Sequence, residues 1–157
     1  MTMKRTLIGL CAVFCLILAG CGESAPEVRP FENGDLNTIL ESGAFSEQLE
    51  VVDSEIVCML YGMELDGDIV TACEGYLSGG ATAEELVLFT AVDEGAAEKV
   101  KAACELRVED QIVSYESYLP GEVAKLENAV IAVRGSTVLI VVANDGAAVA
   151  SVVDGLN

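Results

Sequence analysis

Two short runs are apolar at every position, Leu86-Val87-Leu88-Phe89 and Val138-Leu139-Ile140-Val141-Val142. Successive side chains of a strand point to opposite faces of its sheet, so a strand with one wet face alternates apolar and polar residues. These runs do not alternate. A sheet containing them has helices over both faces, or has one face against a partner.

The flanking sequence supplies the helices. Leu36, Ile39 and Leu40 are at helical spacing after Asp35, which predicts a short first helix over 35–44, with Gly43 near its end. Phe45 to Val52 reads only as a short extended piece. Asp53-Ser54 opens a second helix ending at Gly62, a residue suited to the left-handed conformation that stops helices. The turn Asp66-Gly67, a strand over 68–78, the loop Gly79-Gly80-Ala81-Thr82 and a strand over 85–92 form one hairpin.

Asp93 then caps the longest helix, whose Val100, Cys104, Val108, Ile112 and Tyr115 make one apolar stripe before Pro120 stops it. A shorter helix over 121–128 leads to a second hairpin, 130–133 and 137–143, turning at Arg134-Gly135-Ser136. Asn144-Asp145-Gly146 caps a last helix ending near Leu156. The order α-α-β-β-α-α-β-β-α implies an α+β fold: a four-stranded, mainly antiparallel sheet from two hairpins, packed with helices.

The amino end is of another kind. Lys4 and Arg5 precede an uncharged apolar run, Leu7 to Leu18, and then Ala19-Gly20-Cys21. A membrane-crossing helix needs about 20 apolar residues, and this run is interrupted too early by Gly20, Gly22, Glu23 and Ser24. The pattern is that of a signal peptide. Leu18-Ala19-Gly20-Cys21 resembles the bacterial lipobox, in which the cysteine takes a diacylglyceryl group and becomes the first residue after cleavage. The expected organisation is a signal peptide over 1–20, a lipidated Cys21 with a flexible tether over 21–34, and one extracytoplasmic domain over 35–157. Each buried lipid methylene contributes about 0.8 kcal/mol, so two acyl chains on Cys21 would hold the domain at the membrane without any spanning helix.

Charge narrows the partners. The chain has 26 Asp and Glu against 8 Lys and Arg, a formal charge of −18. Residues 1–20 contain two of the cations and no acid, so the remainder is at −20. Such a surface repels phosphate backbones and anionic headgroups, which excludes nucleic acid as a partner. The expected partners are the membrane, through Cys21, and an envelope protein or a second copy of the chain.

Catalytic chemistry is thinly provided. The chain has no His, which removes the usual base of serine and cysteine hydrolases and every His-containing zinc site. It has no G-x-S-x-G, P-loop or dinucleotide fingerprint. Glu64, Asp66 and Asp68 alternate around Gly67 without the spacing of a calcium loop and read as a solvated turn. Neither cofactor nor metal is expected. Cys58, Cys73 and Cys104 lie in apolar stretches and read first as buried thiols, with one disulfide among them or a metal or catalytic role as the alternatives.

Leu60-Tyr61-Gly62, Gly80-Ala81-Thr82-Ala83-Glu84-Glu85 and Tyr118-Leu119-Pro120 resemble motifs of the DUF4358 family, over roughly residues 45 to 153. The resemblance implies an α+β extracytoplasmic lipoprotein of Gram-positive anaerobes, with no established activity to transfer. It makes Tyr61, Gly62, Glu85, Tyr118 and Pro120 the characteristic positions. Gly62 and Pro120 are explained as helix terminators, while Tyr61 and Tyr118 are core aromatics or ligand contacts. Glu85, beside the Gly79-Gly80 loop, caps local amides or meets a ligand.

The reading that follows is a non-catalytic envelope module binding a protein or ligand, with contacts at Glu85, Tyr61 and Tyr118. A cation- or small-molecule-binding lipoprotein is the alternative, and a carboxylate-based hydrolase of envelope polymers a third.

Overall fold

A computed structural model describes residues 29–156. The elements run α1 (Asn33–Leu40), β1 (Glu50–Val52), α2 (Ser54–Leu60), β2 (Val70–Leu77), β3 (Glu85–Ala91), α3 (Glu94–Tyr118), a 3-10 turn (Pro120–Glu122), α4 (Val123–Glu127), β4 (Val130–Arg134), β5 (Thr137–Val142) and α5 (Gly146–Gly155). The fold is α+β, as the element order implies.

The sheet has five strands rather than four, in the order β1-β2-β3-β5-β4, and every pair is antiparallel. The additional strand is β1, inside the 45–52 stretch that sequence marks only as extended. It has three residues and pairs Val51 with Tyr76 on the outer edge of β2. Three residues are too few for a period-2 pattern, so this strand is specified by the edge that receives it.

The apolar runs explain themselves in this topology. β3 and β5 both lie inside the sheet, and helices cover both faces. Val87, Phe89, Val138 and Ile140 pack with α2 and α3 through Val57, Val100 and Cys104. On the reverse face, Leu86, Leu88, Leu139 and Val141 pack with α1 and α5 through Leu36, Ile39, Val149 and Val153. At about 1.5–3 kcal/mol per buried large aliphatic side chain, these two layers dominate the core.

The caps follow the expected residues with one shift. Asp53, Asp93 and Asp145 accept from Glu55, Ala96 and Ala148 N–H respectively. Asp35, however, lies inside α1 and accepts the N–H of the capping residue Glu32 at 2.9 Å. Arg29 grips the same carboxylate with two bonds of 2.8 and 2.7 Å. Phe31 is buried and Arg134 lies over its ring, so packing begins ahead of the expected end of the tether. Cys21 and the signal segment lie outside the described residues.

Gly62 and Gly67 adopt positive φ at the end of α2 and in the following turn. Asp66 Oδ1 accepts Asp68 N–H in that turn, whose three acids are exposed. Cys58, Cys73 and Cys104 are buried and unbridged in the α2/α3 layer.

Candidate functional site

A cleft of about 240 Å³ opens where the β2–β3 loop, the start of β3 and the middle of α3 meet. Glu84 and Glu85 lie at its base, only 1% and 2% exposed. Burying an ionised carboxylate is tolerable only when a counter-charge and hydrogen bonds replace the lost water. Each glutamate has a separate set.

Glu85 begins β3, and Arg107 reaches it from α3. The guanidinium donates from Nη2 to Oε2 at 2.7 Å and from Nε to both oxygens at 3.1 and 3.2 Å. Its Nη1 also donates to the Leu60 carbonyl at 3.3 Å, which ties the end of α2 into the pair. The charge of Glu85 and these bonds hold Arg107 firmly protonated against the opposing effect of burial.

Glu84 turns the other way. It accepts Lys125 Nζ at 3.0 Å and the Ser46 N–H at 3.0 and 3.1 Å. Lys125 also bonds Glu122 at 3.0 Å, and Glu122 accepts the Ala83 N–H at 2.9 Å. These contacts join α4, the approach to β1 and the β2–β3 loop. They fix the loop's end, while Glu47 links its two sides by accepting from Ser78 and Thr82.

Tyr61, at the end of α2, is 5% exposed under Arg107, whose Cζ is 4.7 Å from the ring centre. Its ring meets Phe89 edge to face at 5.0 Å. Its hydroxyl is fully buried without a hydrogen-bond partner among the described residues. Burial and then the neighbouring Glu85 charge push its pKa well above the ordinary phenol value, so it stays protonated.

The structure therefore brings Glu85 and Tyr61 together through Arg107. It leaves Tyr118 apart: that side chain is 71% exposed at the end of α3 and does not line the cleft. Tyr115, one turn earlier, lines it with Gln111, Ser78 and Thr82. Of the two roles open to Glu85, capping amides falls instead to Glu84 and Glu122, which take the Ser46 and Ala83 N–H groups.

Sequence reasoning passed over Arg107, Glu84, Glu122 and Lys125. Arg107 had a usable signal, because it falls in the stripe of Val100, Cys104 and Val108, where a cation is costly without a buried acid. Lys125 and Glu122 are one helical turn apart and show nothing comparable.

The thiols are tuned away from reactivity. Burial raises all three, Cys104 up to about 12, whereas an attacking cysteine needs a lowered value. Among the described residues no group of three or more His, Cys, Asp or Glu could hold a metal ion. No described helix is long and apolar enough to cross a membrane.

A comparison with the curated proteins finds no match, and one with the solved structures finds none either. Comparison with protein families matches residues 41–155, which include every residue of the cleft, to the domain of unknown function DUF4358. With nearly three-quarters of its length in that match, the chain belongs to the DUF4358 family.

Proposed function

We propose that this chain is a membrane-tethered extracytoplasmic binding module without catalytic activity, and that the cleft above Glu84 and Glu85 is its recognition site. One observation carries the reading: each buried carboxylate lining this cleft is already paired with a cation, Glu85 from within the cleft and Glu84 from outside it. Arg107 closes on Glu85, and Lys125 bridges Glu84 and Glu122. A general base or nucleophile needs an uncommitted group of tuned pKa. Committed pairs instead shape a rigid polar wall, which suits selective binding.

The tether belongs to the same reading and rests on the leader and Cys21. An acidic surface of this strength disfavours attachment through anionic headgroups and leaves the lipid as the anchor. In membrane fractionation with mass spectrometry, Cys21→Ala should yield an uncleaved chain lacking diacylglycerol. Wild-type material with an unmodified amino terminus would remove the anchor from the proposal.

The recognition site has its own test. Gln111→Trp, which fills the cleft from the half-buried face of α3, should abolish the thermal stabilisation that a bound amino acid, peptide or sugar confers on the wild-type chain. A compound that stabilises both proteins equally binds elsewhere. Turnover of any such compound by the wild type would replace a binding module with an enzyme.

A further inference from the structure

A second pocket, of about 330 Å³, lies on the opposite side of the sheet at the β1 edge. Phe45, Tyr76, Leu40, Leu49 and Val51 make its walls. Its apolar character follows from topology. Val51 pairs with Tyr76, so both project from one face at the sheet's end, where the α1–β1 connection covers them only partly. Val51 is left 73% exposed. Tyr76 is held in place because its hydroxyl donates to Glu74 at 2.6 Å.

The rim is charged with one sign. Glu41 and Glu47 line the pocket together with Gln48, and no Lys or Arg does so. Glu47 is fixed by two hydroxyl donors, Ser78 and Thr82, which favour its ionised form. The first cleft differs, since Arg107 lines it and answers Glu85. Two aromatic rings and aliphatic walls below carboxylates with no cation on the rim are complementary to an apolar body bearing a positive charge. The rings attract the cation through their π faces and the acids through direct charge.

We propose that this pocket, walled by Phe45 and Tyr76 and rimmed by Glu41 and Glu47, binds a small organic cation with an apolar body, an alkyl- or arylammonium. The volume falls within the usual range for small-ligand sites. The pocket shares only Glu47 with the support of the loop that borders the Glu84–Glu85 cleft, and Gln111→Trp, which lies in that cleft alone, tells the two sites apart.

The test is a titration of the full-length chain with 2-phenylethylammonium, and in parallel with 2-phenylethanol, which has the same ring and carbon chain without the charge. Binding is read by calorimetry and by amide shifts in NMR spectra. The ammonium should move the Leu49, Val51 and Tyr76 signals and bind about tenfold tighter than the alcohol. Glu41→Gln with Glu47→Gln should remove most of that tenfold preference and leave the alcohol unaffected. Val51→Lys, at a position exposed enough to be tolerated, places an ammonium at the mouth and should abolish binding while the circular dichroism spectrum stays the same. Equal affinity for the two probes would overturn the proposal, as would shifts centred on Arg107 and Gln111, or no binding of the ammonium up to about 10 mM.

Discussion

Burying a charged carboxylate costs several kcal/mol, a penalty that Arg107 offsets at Glu85 and Lys125 at Glu84 through short hydrogen bonds. Removing one partner exposes the penalty in full. Arg107→Ala leaves Glu85 buried without its counter-charge and hydrogen bonds, and we expect a loss of about 3 kcal/mol in urea unfolding. The double variant Arg107→Met with Glu85→Leu should recover most of it, because apolar residues of similar size replace a buried pair at little cost. A double variant as unstable as the single one would mean that the pair itself stabilises the fold. Asp35 makes a different test. Bonding to Arg29, followed by the Glu32 N–H, holds its carboxyl below the ordinary value of 3.8. The folded value lies below the unfolded one, so this stability is complete above about pH 4 and is lost as pH falls through the depressed value. Asp35→Asn should therefore flatten the stability profile below about pH 4 and nowhere else, as followed by thermal melts. At this scale sequence showed half of one pair, Glu85, and neither residue of the other. Glu85 drew notice beside its glycine loop, but Arg107 is 22 residues away and Lys125 is 41 from Glu84, separations that no local pattern records.

Gly75 shows how tightly one element can sit on another. A Cβ there would lie 2.7 Å from Val57 Cγ2, so α2 rests on β2 at the point where β2 has no side chain. Gly75→Ala should destabilise by about 1–3 kcal/mol through overpacking. Val57→Ala removes the colliding methyl groups, and a double-mutant cycle should show a favourable coupling between the two. Additive losses would place the strain elsewhere. Elements with internal signals were legible in advance. Asp53, Asp93 and Asp145 mark helix starts by side-chain chemistry, and Gly62 and Pro120 mark stops. β1 carries no such signal: Glu50 and Val51 are both exposed, and the strand exists because β2 presents an open edge. The second pocket escaped notice for the same reason, since Val51 and Tyr76 become neighbours only through that pairing.

For the whole molecule, the doubly apolar strands carried the decisive information, because they required cover on both faces and α1, α2, α3 and α5 provide it. Charge is the property that packing leaves unbalanced. With 26 acids against 8 bases, most carboxylates have no cation to meet, and their mutual repulsion opposes the compact state. Salt acts unequally on the two populations. Raising NaCl from about 10 mM to about 500 mM shortens the screening length from about 30 Å to under 5 Å, which removes repulsion between exposed acids. The buried pairs at Glu84 and Glu85 lie within 3.0 Å and are screened far less. The melting temperature should therefore rise by several degrees over that range. Neutralising exposed acids of α3, Glu98→Gln with Glu109→Gln, should reproduce part of the gain at low salt and reduce the response to added salt. A melting temperature that falls with salt would make the ion pairs, rather than the unpaired acids, the dominant electrostatic contribution to this fold.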